Sequence, residues 1–200
     1  MSETKFVSAG KPKIGGAIST APVGTRLPTD ATSELDPAFA NLGYISEDGL
    51  TNENTREAEN IKAWGGDVVA SLQSEKEDKF TYNLIEIANV LVLKEVFGQD
   101  NVTGSLEDGI VVNVNANELE ERSIVIDMIL NGGVLKRIVI PNGKIVEMGE
   151  TVYKDDELAG YEVTSQALPD SKGNTHYEYL KKVVKAAAAQ LATTTPKGDS

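Results

Sequence analysis

A mostly β fold is what this sequence predicts: a β-sandwich or barrel carrying one flanking α-helix, with an extended N-terminal arm and a long loop. Three observations lead to it. Short runs alternate polar and apolar residues, as in Tyr161-Glu162-Val163-Thr164-Ser165-Gln166-Ala167, and a two-residue period marks a half-buried strand. Glycine turns punctuate the runs, among them Gly65-Gly66, Asn131-Gly132-Gly133 and Asn142-Gly143. One longer apolar run, Ile87 to Phe97, stops at Gly98 as a helix does. Many short strands with one buried helix define a sandwich or barrel, and no internal repeat is visible.

The elements follow in chain order. Residues 1–20 are rich in Gly, Lys, Ser and Ala without periodicity and read as a mobile arm. Pro22, Pro28 and Pro37 disfavour regular structure up to Asn41, and Asp36-Pro37-Ala38-Phe39 reads as one helical turn capped by Asp36. Tyr44-Ile45-Ser46 reads as a short strand, and Glu47 to Asn60 as a long acidic loop containing Arg56. Ile61–Trp64 and Val68–Gln73 are expected as short strands around Gly65-Gly66, and Lys79–Ile85 as a half-buried strand. Ile110–Val114, Ser123–Leu130, Val134–Ile140, Lys144–Met148, Gly160–Leu168 and His176–Lys182 complete the strands, separated by the turns at 131–133, 142–143 and 169–173. The end, 183–200, is an Ala run favouring helix and then a polar tail. The expected division is an arm at 1–20, a β-sandwich domain at 21–182 and a tail at 183–200.

Composition limits the function. Of 200 residues, 40% are hydrophobic and 25% charged, as in ordinary globular proteins. No apolar run is long enough to span a membrane, and the first residues lack the apolar core of a signal peptide, so folding in a cytoplasm is expected. The absence of cysteine removes disulfides, thiolate metal sites and thiol nucleophiles. A formal net charge of -12 opposes tight binding to phosphate backbones. An acidic wall would still let a polyanion pass without sticking.

No chemistry assembles in the sequence. His176, the single histidine, stands beside Tyr177 and Tyr179 without an evident nucleophile, and no Gly-x-Ser-x-Gly turn exists. The glycine-bearing segment Gly10 to Gly16 lacks the ending of a phosphate loop. The acidic groups Asp155-Asp156-Glu157, Glu118-Glu120-Glu121 and Glu47-Asp48 lack the alternating oxygen pattern of a calcium loop and read as solvated turns. Trp64, the lone tryptophan, is either a core or strand-end anchor or an aromatic anchor between subunits. The whole stretch Val23 to Asp67 combines pieces that cannot bury themselves locally. Its Tyr44, Glu47, Asp48, Arg56 and Trp64 are therefore expected at contacts between subunits.

Three parts of that stretch, VGTRLPTDATSELDPAF, LGYISEDGLT and IKAWGGD, followed by FTYNLIEIANVLVLKEVFG and the hairpin-rich second half, carry a family likeness. In order and spacing the chain, from about Pro22 to Lys182, resembles the major tail protein of long-tailed phages with non-contractile tails, especially those of Gram-positive hosts. The resemblance implies a structural virion protein, made in the host cytoplasm. Six copies would form a ring, and stacked rings a hollow tail tube around a tape measure protein. Tail terminator and tail tip proteins would be further partners. DNA would pass through without specific binding, and no cofactor, membrane or catalysis is involved. One sheet face would line the channel, and Asp127 and Glu162, on the polar sides of alternating strands, are the expected lumen carboxylates. The alternatives are a β-sandwich binding or adhesion module, for which an aromatic content of 6% is low, or a tube subunit of a contractile injection machine. An enzyme has the least support.

Overall fold

A computed structural model describes residues 7–13 and 15–183. It contains eleven strands and one α-helix: β1 (Gly10–Pro12), β2 (Ile18–Pro22), β3 (Ala40–Asn41), β4 (Ile45–Lys62), β5 (Val68–Leu84), α1 (Val90–Phe97), β6 (Val102–Ser105), β7 (Gly109–Val112), β8 (Arg122–Leu130), β9 (Val134–Met148), β10 (Tyr161–Leu168) and β11 (Tyr177–Lys182). Nine strands form one antiparallel sheet in the order β3-β2-β8-β9-β10-β5-β4, with β1 extending along β8 and β11 along β9. β6 and β7 make a separate hairpin. The mostly β class with one helix holds, realised as one large sheet rather than two stacked ones.

β9 organises the sheet. Along one edge Val134–Gly143 pair with β8; along the other, Val134–Val139 pair with β11 and Asn142–Met148 with β10. The sheet therefore forks at Ile140-Pro141. The expected turn at Asn142-Gly143 does not occur. Gly143 lies opposite Arg122 beside an irregularity in register, and a Cβ there would meet Ile124 Cδ1 at 2.6 Å. The glycine permits a close strand approach instead of a reversal.

One sheet face carries the main core. Ile18, Ile124, Ile126, Ile138, Ile140, Val163, Phe80, Tyr82 and Leu84 pack with Val92, Leu93 and Val96 of α1. Alternation selects them: along β10 the buried positions are Tyr161, Val163, Ser165 and Ala167. The helix begins later than the apolar run suggests. Asn89 is the N-cap, its side chain accepting from Leu91 N–H, and Gly98 closes the helix at φ 101° with its N–H donating to the Lys94 carbonyl. Glu95 is buried on this helix; it accepts from the Thr20 hydroxyl at 2.8 Å and lies 3.5 Å from Arg122 Nε. Burial, eased by Thr20 and Arg122, pushes its carboxyl above the ordinary range.

The opposite face of β2, β8 and the first half of β9 is also covered. Ala21, Ser123, Val125 and Val139 are buried there beneath the proline-bearing segment 22–38, which contributes the buried Pro28 and Ala31. Arg137 fixes that cover. Its Nε and Nη2 donate to the two carboxylate oxygens of Asp127 on the neighbouring strand at 2.6 and 3.0 Å, and its Nη1 donates to the carbonyls of Asp30 and Ser33 at 3.1 and 2.8 Å.

Two expectations change here. Residues 17–20 are not an arm: Ala17, Ile18, Ser19 and Thr20 are buried, and β2 crosses the boundary expected at residue 21. Asp36-Pro37-Ala38-Phe39 forms an isolated turn rather than helix, with the Asp36 carboxylate accepting from Ala38 N–H. The expected tail at 183–200 lies, apart from Val183, outside the described residues.

Replacing Arg137 by Ala strips a nearly dry carboxylate of its partner and is expected to destabilise the fold by about 3–5 kcal/mol. Replacing Asp127 and Arg137 together by Leu and Met should cost clearly less, since no unpaired charge remains. Urea unfolding of the three proteins measures both.

Candidate assembly surfaces

Three surfaces have no partner among the described residues. The first is the outer face of the other half of the sheet, formed by the end of β9 with β10, β5 and the start of β4. Cross-strand register brings together Glu147, Thr164, Thr81 and Thr51, then Lys144, Gln166, Lys79 and Glu53, with Glu162 beside Asn83. The hydroxyls of Thr81 and Thr164 lie 2.9 Å apart. Lys79 is held by Glu77 at 2.7 Å, and that hydrogen bond, with Glu53 and Glu147 nearby, raises its pKa. Glu53, Glu77, Glu147 and Glu162 outnumber Lys79 and Lys144 on this face, a net charge of about -2 by count. It is polar and mildly acidic, and among the described residues no segment covers it as residues 22–38 cover β8.

The second surface is the hairpin of β4 and β5. Glu47 to Asn60 was expected as a loop, yet the chain is paired with β5 from Leu50 to Lys62. The strand lacks alternation because the hairpin runs beyond the core with both faces wet, so no face selects apolar residues. Ladder pairing satisfies the backbone instead. At its tip Gly65 and Gly66 take φ of 114° and 98°, which the turn requires. Ile61, Val68, Val69 and Leu72 are exposed near the tip, and Trp64 is 106% exposed. Of the two readings of Trp64, the core anchor is excluded within this chain.

The third surface is the outer edge of β4, the last strand in the sheet order. Tyr44, Glu47, Asp48 and Arg56, all exposed, are brought to this edge or its approach. Tyr44 N–H donates to Glu86 at 2.9 Å, and Asp48 accepts from Ser46 at 3.2 Å. Glu162 is exposed on the polar face, whereas Asp127 lies with Arg137 and Lys13 on the face covered by segment 22–38, its side chain 13% exposed.

At the root of the hairpin lies a cluster that sequence reading missed. Asp78, 1% exposed, accepts from Asn52 at 2.9 Å and from the Thr175 hydroxyl, and pairs with His176 Nδ1. Phe80 meets the imidazole edge-on at 5.3 Å. The histidine thus has an orienting carboxylate 98 residues away in sequence, too far for any local signal. Thr175 donates to the same carboxylate oxygen rather than to the ring, so this is not a nucleophile–base pair. It ties β4, β5 and the approach to β11 at one point. No group of three or more His, Cys, Asp or Glu residues with metal-site geometry exists among the described residues.

Among the described residues, then, the fold leaves a bare polar face, a free strand edge and an apolar tip beyond the core. The model of the phage tail tube protein family matches residues 6–192, and the chain belongs to that family. It is a tail tube subunit, a structural component of the virion tail. No curated protein matches the sequence. Among solved structures, a chain of the sheath-tube complex of an extracellular contractile injection system (PVC, extended state) is similar with a TM-score of 0.42 at 8% identity, covering 86% of this chain and 93% of that one. A chain of the anti-feeding prophage cap (AFP tube terminating cap) gives 0.43 at 8% identity, covering 86% and 92%. The assignment rests on the family match.

Asp78 supplies a pH test. Burial raises its pKa, but the hydrogen bonds from Thr175, Asn52 and His176 together with the histidine's charge prevail and the net shift is downward. A depressed carboxylate contributes stability that is present above its unfolded pKa, about 3.9, and is lost as pH falls through the lower folded value. The parent should lose stability below about pH 4. Asp78→Asn should be less stable at pH 7 and show a shallower acid limb, the contributions of Asp30 and Asp170 remaining. Denaturant unfolding at pH 7 and pH 3 reads this directly.

Proposed function

We propose that copies of this subunit close into rings, six to a ring as the resemblance to tail proteins implies, and that the rings stack through the β4–β5 hairpin into the conduit for DNA. The observation that carries this reading is the bare apolar tip of that hairpin on a chain of the tail tube family. Isolated exposed residues are ordinary, but five large apolar side chains gathered on the two faces of one two-stranded projection are a concentration of the kind that marks protein contacts. The free edge of β4, with Tyr44, Glu47, Asp48 and Arg56, supports strand pairing or rim contacts with the next copy in a ring.

In this reading the polar face of β9, β10, β5 and β4 lines the channel. Its carboxylates repel phosphates, and its threonines and glutamine offer neutral contacts. Asp127, neutralised by Arg137, has no free charge to contribute, so Glu162 is the lumen residue to test. The tape measure protein inside the tube and the terminator and tip proteins at its ends are the further partners implied, and no catalytic step is required.

Negative-stain microscopy of the concentrated chain tests the assembly. Rings or tubes are expected, with Trp64 emission moving to shorter wavelength as the lone indole leaves water. Dispersed monomers at every concentration, with unchanged emission, would count against the proposal. Trp64→Ala should leave unfolding unchanged within about 0.5 kcal/mol and raise the concentration needed for assembly at least about tenfold, as expected for an aromatic hot spot.

Glu162→Lys should assemble normally but slow DNA ejection several-fold at low salt, because each ring then offers a circle of new phosphate contacts. The defect should ease as salt rises. Parent-like ejection at every ionic strength would remove Glu162 from the channel wall.

A further inference from the structure

The β4–β5 hairpin lacks apolar alternation, but its charges alternate. From Thr51 to Glu57 it pairs with Thr81 to Glu75 without an irregularity, so the two faces of the sheet continue onto the ribbon unchanged. The face of Thr81 and Thr164 continues through Glu53, Thr55 and Glu57 of β4 and through Lys79 and Glu77 of β5. The face of Phe80 and Asp78 continues to Arg56 and Lys76. One side of the ribbon is therefore acidic and the other basic. Arg56 and Glu57, adjacent in sequence and both exposed, stand on opposite sides.

The ribbon's own stability does not account for this sorting. Arg56 lies directly opposite Lys76, and like charges so placed destabilise a strand pair. Asp78, the next carboxylate on that face, is taken up by Asn52, Thr175 and His176. Among the described residues neither Arg56 nor Lys76 makes an ion pair.

We infer that the hairpin docks on a second copy of the chain by its basic face, Arg56 and Lys76, and leaves its acidic face, with Glu53 and Glu57, to the channel. The inference rests on the tube reading and says which way the hairpin is turned. Charge decides the occupant. With 31 Asp and Glu against 19 Lys and Arg, the surface of a second copy offers carboxylates to the basic face and repels the acidic one. A neighbour's carboxylate between Arg56 and Lys76 offsets their mutual repulsion. The acidic side is continuous with the polar face of the sheet, so the two form one surface that repels phosphate. Turned the other way, the ribbon would set two cations per copy on the path of the DNA, where they would bind it.

The absence of cysteine lets neighbouring positions report the two sides. Arg56→Cys and Glu57→Cys are made in the full chain and treated with N-ethylmaleimide or with a long polyethylene glycol maleimide, before and after assembly. In the free chain both are expected to react with both reagents. In tubes Arg56→Cys should be shielded from both, its labelling falling at least about tenfold as water is excluded from the contact. Glu57→Cys should keep its rate with N-ethylmaleimide and lose it with the polymer, which the channel excludes. Asn54→Cys, exposed on the same face as Arg56, gives the same reading where Arg56→Cys does not assemble. Lys76→Glu should raise the concentration needed for assembly several-fold at low salt and less at high salt, without loss of folding stability, since it removes a like-charge pair. Tubes in which Arg56→Cys or Asn54→Cys stays open to the polymer, in which Glu57→Cys is shielded from N-ethylmaleimide or open to the polymer, or in which Lys76→Glu assembles like the parent at every ionic strength would overturn the inference and leave the tube reading standing. A parent chain that never assembles would overturn both.

Discussion

The subunit depends on one strand that must live in two environments. The first half of β9 is buried on both faces, by the core on one side and by segment 22–38 on the other; its second half is buried on one face only. The change falls at Ile140-Pro141, where the partner strand switches from β11 to β10. On the doubly covered half the sequence supplies Ile138, Val139 and Ile140, a continuous apolar run; on the singly covered half it alternates polar Lys144 with Ile145. Arg137 makes the arrangement possible. A charged side chain 3% exposed is tolerated because its donors are taken up by Asp127 and by two carbonyls of the covering segment. With the cover fixed, one half of the outer face is closed to solvent and the other half is left bare among the described residues.

Most of the second half of the chain was legible because burial on one face writes itself into alternation. β10 is the clear case, and its burial pattern follows the residue pattern position by position. The hairpin at Asn131-Gly132-Gly133 carries a further signal in its register. Pairing Leu130 with Val134 places Asp127 opposite Arg137, so the ion pair that removes Asp127 from the free carboxylates was available from register alone. The first half was less legible. Glu47 to Asn60 has the composition of a loop, and only pairing with β5 makes it a strand. No face of it is buried in the chain, so there is nothing for periodicity to record. The buried Ile18 and Thr20 were hidden for a different reason: β2 is short and flanked by small residues, and its partner β8 lies a hundred residues away.

The surfaces proposed for assembly are the ones the sequence fails to bury within the chain. Trp64, Tyr44 and Arg56 were singled out as pieces with no local partner, and all three are exposed along the hairpin or the edge of β4. The Asp78 and His176 pair shows the limit of that logic. Both residues are ordinary in sequence, and only the fold shows that they fasten the root of the hairpin to the approach of β11. A projecting hairpin needs such a root, because a two-stranded ribbon has little stability of its own. Polar ties at the root and apolar residues at the tip divide the hairpin into a part that is anchored and a part that is offered.

The wet hairpin has a consequence for how the chain opens. Its ladder has no buried face toward the tip, so its amides can exchange through local fraying that leaves the core closed. Fast exchange is expected around Gly65 and Gly66, with the step to slow exchange at Asp78, where the polar cluster with Asn52, Thr175 and His176 begins.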